Sequence, residues 1–414
     1  MIPIILIQLS TPSQPALEYD LEELAALAFQ VGLNPIEKIT QHLSKPSAFS
    51  AIGKGKLEEI KSILESTDIE MVVFYNELSA TQMRNLEDYL EVEVIDRTML
   101  ILELLSQRAK TNLAKRLVSI AQMKYLLPRL SALNEITDRQ QGGIGLKGPG
   151  ETKLELSRRN LEQSIKHEEK MLRHDLKVRL QNRKKRKRNE VKTVAIIGYT
   201  NAGKSTLLNT FSEASKEKNK NVLSKDQVFS TLDTASRKIT LAHAPSFIMT
   251  DTVGFVSNMP THLKAAFNAT LEETVDADLL LIVLDASSPY TDEHLKATED
   301  LMHQLGLDYK PKLYVLNKID RLEYPEHFLF HKFPYLKVSL TQKTASEKLI
   351  DEVITMLFEE GLTKHYLIPY EEDQHRSYLR KNSVIIAETH HANGTLIQAK
   401  VTSRIADTLK SYEY

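Results

Sequence analysis

One run of eight residues, Gly198-Tyr199-Thr200-Asn201-Ala202-Gly203-Lys204-Ser205, constrains this chain more than any other part of it. It fits the pattern G-x-x-x-x-G-K-[ST], and its flanks suit the fold that such a loop requires. Residues 193–197 are apolar and read as a buried strand, and Thr206-Leu207-Leu208-Asn209 reads as the start of a helix. A strand that turns through such a loop into a helix belongs in an α/β sheet. The glycines let the backbone close around phosphate oxygens, with amide N–H groups pointing inward. Lys204 is expected to reach the β- and γ-phosphates, and the Ser205 hydroxyl to sit on Mg²⁺. A glycine-rich turn with a stray lysine is the bland alternative, and the flanks weigh against it.

A phosphate loop does not name the nucleotide, but Asn317-Lys318-Ile319-Asp320 does. It follows the strand-like residues 312–316 and lies 113 positions after Lys204. An aspartate at Asp320 accepts hydrogen bonds from the N1–H and 2-amino groups of guanine. Adenine offers no such pair and would leave the carboxylate unsatisfied. Asn317 is placed to bond the base edge and the phosphate loop, and the Lys318 stem to cover the ring. Between these motifs lies Asp251-Thr252-Val253-Gly254, after the strand-like Phe247-Ile248-Met249. Asp251 is expected to hold Mg²⁺ through water, and the Gly254 amide to sense the γ-phosphate.

Upstream, Phe229-Ser230-Thr231-Leu232-Asp233 sits in a polar stretch suited to a mobile switch. Thr231 is the choice for a second Mg²⁺ hydroxyl, Thr234 is its competitor, and the sequence does not separate them. The metal set is thus Ser205, Thr231 and Asp251, with Lys204, Thr231 and Gly254 acting on the reacting phosphate. Ras-like GTPases place a water-orienting glutamine right after the Asp-x-x-Gly glycine, where this chain has Phe255. A phenyl ring cannot orient water, so intrinsic hydrolysis is expected to be slow.

A length of 414 residues predicts two to four domains. The absence of cysteine excludes disulfides and thiolate metal sites. The opening Ile4-Ile5-Leu6-Ile7 run is too short for a signal segment, and no apolar run approaches a membrane span, so a cytoplasmic protein without integral membrane association is expected. The net charge of −1 hides an asymmetry: from Arg108 to Glu190 there are 22 Lys+Arg against 9 Asp+Glu. Such a block is a footprint for polyanions.

Four regions follow. Residues 1–107 alternate strand-like runs at 2–9, 70–75 and 91–95 with helical periodicity at 21–31, 56–65 and 79–89, which predicts an N-terminal α/β domain with a parallel sheet. Gly53-Lys54-Gly55-Lys56 reads as a solvated turn before a helix, with phosphate contact the lesser alternative. Residues 108–190 predict a long antiparallel helical hairpin. In its second helix Leu154, Leu161, Ile165, Leu172 and Leu176 form a narrow apolar seam, which should face Leu113, Leu117, Ile120 and Leu127. The tip holds five glycines between Gly142 and Gly150, flanked by Arg139 and Lys147. It reads either as a disordered connection or as a flexible basic probe for folded RNA. The run Arg183-Lys184-Lys185-Arg186-Lys187-Arg188 reads by default as a solvated linker, with a nuclear-localisation patch and an RNA contact as alternatives; a linker that also touches RNA phosphates is favoured, because its charge continues that of the hairpin. Residues 191–361 predict the P-loop domain. Residues 362–414 predict a small C-terminal α+β domain, with a hairpin turning at Asn393-Gly394.

The chain resembles the HflX GTPases, ribosome-associated members of the Obg–HflX group. The resemblance rests on the nucleotide motifs, on Phe229-Ser230-Thr231-Leu232-Asp233 with Phe255, and on the run from Gly142 to Glu155. Asn76-Glu77-Leu78-Ser79, Val94-Ile95-Asp96-Arg97-Thr98 and the stretch from Gln122 to Leu130 also carry it. It implies a P-loop GTPase that hydrolyses GTP to GDP with Mg²⁺. It implies that the Gly142 to Gly150 loop reaches the peptidyl-transferase region of the large (50S) ribosomal subunit, and that the protein splits or rescues stalled ribosomes under stress. The alternative is a GTP-gated RNA- or ribosome-binding switch with incidental hydrolysis. A monomer is expected. One departure stands out: the last guanine-contact motif, normally Ser-Ala-x, reads Ser339-Leu340-Thr341 after Val338. The Leu340 amide can still reach the guanine O6, but its bulk strains the fit.

Overall fold

A computed structural model describes all residues except 14–16, 110, 141–152, 189–190, 216–234, 242–243, 253–273, 326–329 and 360. The described residues form two compact units, one of them Met1–Gln181. Among them, no helix is long and apolar enough to cross a membrane.

The first unit opens with β1 (Ile2–Ser10), α1 (Glu18–Gln30), β2 (Leu33–His42), α2 (Lys54–Glu65), β3 (Met71–Phe74), α3 (Ala80–Leu90), β4 (Glu93–Asp96) and α4 (Arg97–Arg108). The strands make a parallel sheet in the order β2-β1-β3-β4. β1 is buried from Ile4 to Ser10, as a strand covered on both faces should be. β2 is the strand that sequence patterning misses. It carries Pro35 and a mostly polar surface, and among the described residues it pairs only with β1, through a register shift, which is how proline is tolerated at a sheet edge.

Two long helices follow, α5 (Asn112–Gln140) and α6 (Lys153–Arg188). They run antiparallel: Arg116, near the start of α5, pairs with Glu168 and Asp175, well into α6, and Lys124 pairs with Glu169. The expected seam is only partly apolar. Leu113, Leu117, Ile120 and Ile165 are buried, whereas Leu127, Leu161, Leu172 and Leu176 are half-buried. Ion pairs between partly exposed side chains supplement it. The segment from Gly142 to Gly150, the side chain of Arg139, Lys147 and the side chains of Arg183 to Arg188 lie outside the described residues.

One buried carboxylate fixes α5 to the sheet. Asp96 is fully buried and caps α4 by accepting from the Met99 amide at 3.0 Å. It also accepts from the Leu78 amide at 3.1 Å and the Tyr125 hydroxyl at 2.7 Å. Arg129, one turn on from Tyr125, approaches the same carboxylate at 3.3 Å and stacks 3.3 Å above the Tyr125 ring. Burial and the Asp96 charge together push the Tyr125 hydroxyl far above its ordinary pKa, so it stays a donor.

The second unit holds β5 (Thr193–Gly198), α7 (Lys204–Ala214), β6 (Ala235–Ile239), β7 (Phe247–Asp251), β8 (Leu279–Asp285), β9 (Lys312–Asn317) and β10 (Tyr335–Lys337). The sheet order is β10-β9-β8-β5-β7-β6, parallel throughout except for the antiparallel edge strand β6. Val194, Ile196, Leu279, Leu281, Leu313 and Phe211 lie in its core. A three-stranded antiparallel sheet, β11 (Leu362–Ile368), β13 (Gly394–Val401) and β12 (Val384–His391) in that order, has its own core around Tyr366, Ile397 and Leu409. β12 and β13 are the hairpin expected around Asn393-Gly394.

Replacing Tyr125 by Phe keeps the ring under Arg129 but removes a donor from a buried carboxylate. Chemical denaturation should show the variant less stable by about 1–3 kcal/mol. Gln107→Ala, on an exposed helix surface, should lie within about 0.5 kcal/mol of the parent chain.

Candidate functional site

The motif residues gather at the carboxyl ends of β5, β7, β8 and β9, where open α/β sheets bind ligands. β5 ends at Gly198 and the chain loops through Asn201, in the left-handed region at φ 62°, into Gly203 at φ 105°. Gly203 then caps α7, with its carbonyl accepting from the Leu207 amide at 2.9 Å. Two glycines are obligatory for steric reasons. A Cβ on Gly203 would lie 2.2 Å from Asn317 Nδ2, and one on Gly198 would lie 2.2 Å from the Val283 carbonyl oxygen.

That close approach is bonded. Asn317 Nδ2 donates to the Ala202 carbonyl at 2.9 Å, and Asn317 Oδ1 accepts from the Leu340 amide at 3.3 Å. One buried amide therefore ties the loop after β5, the end of β9 and the loop after β10. The Leu340 side chain, whose bulk raised doubt from sequence, packs into the sheet core with Ala202 and Leu207. Ser339 is buried, and its hydroxyl lies 2.7 Å from that of Thr341. Lys318 adopts φ 62°, Ile319–Arg321 forms a single 3-10 turn, and Asp320 on that turn is exposed.

Beside this tie lies a second group of buried polar side chains. Lys204 is buried, and Nζ donates to the Tyr199 carbonyl at 2.6 Å. Burial pushes its ammonium down to about 8, and the Asp251 carboxylate opposes that shift. Ser205 Oγ donates to Asp251 Oδ2 at 2.8 Å, with both residues buried. Register brings them together, because Ile196 of β5 is opposite Asp251 of β7. Thr252, fully buried, donates to the Ile196 carbonyl at 2.6 Å and closes the same strand pair. A hydroxyl and a carboxylate are hard oxygen donors, which suit magnesium rather than a soft metal. Among the described residues no group of three or more His, Asp or Glu is arranged to hold a metal, so ligands from a bound phosphate would have to complete such a site. Thr200 is buried in the loop. Phe229, Ser230, Thr231, Leu232, Asp233, Thr234, Val253, Gly254 and Phe255 lie outside the described residues.

Two contacts escape the motifs. Asp285 ends β8 opposite Asn317, and its Oδ2 accepts from Lys318 Nζ at 2.8 Å. Its Oδ1 is held by the Ser287 amide at 3.0 Å and hydroxyl at 2.6 Å. Asp285 thus anchors the ammonium whose stem belongs to the base-reading motif. The only sequence signal was a lone carboxylate closing an apolar run. His294, on the helix Thr291–Gln304, stacks on Tyr199 at 3.9 Å and 15°. It braces the residue whose carbonyl receives Lys204, and nothing in the sequence links positions so far apart.

Comparison with known proteins agrees with this geometry. The family described as "GTP-binding GTPase N-terminal" matches residues 18–105, "GTP-binding GTPase Middle Region" matches 108–186, and "50S ribosome-binding GTPase" matches 193–318. The GTPase HflX of Caldanaerobacter subterraneus subsp. tengcongensis is 40% identical over 97% of this chain and 91% of its own length. The GTPase HflX of Escherichia coli is 41% identical over 73% of this chain and 70% of its own length. Among solved structures, a GTP-binding protein from Sulfolobus solfataricus in complex with GDP is 20% identical over 87% of this chain and 99% of its own, with a TM-score of 0.45. That likeness is too distant to add to the assignment.

The buried ammonium makes a testable pH signature. A triphosphate beside Lys204 stabilises its charged form, so binding takes up a proton wherever the free site is neutral. Affinity for GTP should be level below the free-state value of about 8 and fall above it, by up to about tenfold per pH unit. Calorimetry in buffers of different ionisation enthalpy should register net proton uptake at pH 9 and little at pH 7. Lys204→Arg should remove the decline. Separately, Asp285→Asn should weaken GDP binding several-fold, with turnover at saturating GTP unchanged.

Proposed function

The chain belongs to the HflX family of GTPases, and we propose that it works as a magnesium-dependent GTP hydrolase that docks on the large ribosomal subunit. The observation that carries the nucleotide part is the convergence of Lys204, the buried Ser205–Asp251 pair and the Asn317 tie at one sheet edge. Ser205 and Asp251, with Thr231 as the switch ligand, would hold the magnesium ion. When bound, the ion neutralises charge on the β- and γ-phosphates.

The chain's own groups do the rest. The loop from Gly198 to Ser205 wraps the phosphates with backbone amides, and Lys204 sets its ammonium against the β- and γ-oxygens. Asp320 accepts from the guanine edge. Asn317 holds the base loop against the phosphate loop, and Lys318, steered by Asp285, covers the ring. The Gly254 amide senses the γ-phosphate and Thr231 closes over it, so GTP and GDP favour different states of these two segments. Phe255 supplies no group to align water, so turnover by the isolated chain is slow and docking accelerates it. The basic hairpin and its loop from Gly142 to Gly150 probe rRNA, and release follows hydrolysis. Splitting or rescue of stalled ribosomes is the task that fits this cycle. The charge block between Arg108 and Glu190 supports a polyanionic partner.

GTP turnover with and without purified large subunits tests this reading. Stimulation is expected, and deletion of residues 142–150 should abolish the stimulated part while sparing the intrinsic rate. Equal turnover with and without subunits would favour a switch in which hydrolysis is incidental. Asp320→Asn should sharply lower the preference for GTP over ATP, and retained preference would move base recognition away from this residue.

A further inference from the structure

The loop from Gly198 to Ser205 is held from a second side, away from Asn317. The Tyr199 carbonyl is a hub within it, accepting from Lys204 Nζ at 2.6 Å and, at the longer distance of 3.4 Å, from the Ala202 amide. Tyr199 follows Gly198, whose φ of 154° lies in the region that favours glycine, so the backbone just before the hub has no side chain to anchor it. The Tyr199 ring supplies the anchor. It is buried and lies face to face with the buried His294 imidazole, with 3.9 Å between ring centroids and 15° between planes.

The helix that carries His294, α8 (Thr291–Gln304), is itself fixed. It packs against β5 and β8, and its buried residues are Thr291, His294, Thr298 and Met302. The Thr291 hydroxyl lies 2.8 Å from the Asp285 carbonyl and 2.7 Å from that of Ser288, which ties the first turn of α8 to the end of β8. The Thr298 hydroxyl donates to the His294 carbonyl at 2.7 Å. Backbone carbonyls thus satisfy both threonines, and His294 is the ring on that buried face. Stacked aromatic rings hold each other in plane and in position, which an aliphatic contact does not.

We propose that His294 is a positioning residue for the triphosphate of GTP. By stacking on Tyr199 it fixes the peptide that holds the Lys204 ammonium, so the loop is formed before the phosphates arrive. The inference rests on the GTP site proposed above and adds to it a residue that no motif contains. A loop ordered in advance binds more tightly because less ordering remains to be done on binding. A side chain that merely filled space under the loop would change stability without a matching change in phosphate affinity.

The test compares the full-length parent with H294Q, H294F, Y199A and the double variant of Y199A with H294Q. Binding of magnesium tripolyphosphate and steady-state GTP turnover are measured for each. H294Q removes the ring and keeps a polar side chain of similar size. It should weaken tripolyphosphate binding and raise KM for GTP by about three- to tenfold, with the loss in KM rather than in kcat. H294F retains a ring and should bind as the parent does. The double variant should be no weaker than Y199A alone, because His294 acts through Tyr199. Parent-like affinity in H294Q, or H294F as weak as H294Q, would overturn the stack as the positioning contact while leaving the GTP site standing. A double variant weaker than Y199A by the full H294Q effect would overturn it as well. If Lys204→Ala binds tripolyphosphate as tightly as the parent, the anion lies elsewhere, and the site itself falls together with the inference.

Discussion

The site depends on one side-chain amide. Asn317 donates to the Ala202 carbonyl and accepts from the Leu340 amide, so two loops 115 and 23 residues away in sequence meet at one buried group. The approach is so close that position 203 admits no Cβ. Such a tie would let the proposed phosphate loop and the proposed base-reading loop act as one rigid receptor. Preorganisation of this sort raises affinity by removing the cost of ordering each loop separately. It also explains why Leu340 is accommodated. The loop's backbone is fixed by Asn317, and the isobutyl group is directed into the core.

Strand order supplies the remaining geometry. β8 stands between β5 and β9, so Asp285 falls beside Asn317, and β7 lies on the other side of β5, so Asp251 falls beside Ser205. None of these pairs is close in sequence. Hydrophobic burial of the strands builds the sheet, and the sheet register then sets polar groups within hydrogen-bond distance at its carboxyl edge. In the first unit Asp96 plays a comparable part, joining a helix cap, the Leu78 amide and the hairpin helix α5.

Much of this was legible in the sequence because the informative signals are local. The loop between β5 and α7, the carboxylate ending β7 and the Asn-Lys-x-Asp turn all combine chemistry and secondary structure within a few residues. The hairpin at Asn393-Gly394 was legible for the same reason. β2 was not, because Pro35 and its polar residues belong to an edge strand whose partner, rather than its own pattern, decides its state. The α5–α6 seam was half legible: apolar periodicity located Leu117 and Ile165, but the ion pairs of Arg116 and Lys124 have no periodic signature. Asp285 and His294 were invisible, since each matters only through a partner brought close by folding.

The direct test of the Asn317 tie uses a ligand without a base. Titration of magnesium tripolyphosphate into the parent chain and into Asn317→Ala isolates the phosphate loop from guanine recognition. If Asn317 organises that loop, the variant binds tripolyphosphate at least about tenfold more weakly, a loss of about 1.4 kcal/mol. Unchanged tripolyphosphate affinity, with GTP affinity alone reduced, would confine Asn317 to the base and contradict a receptor built as one piece.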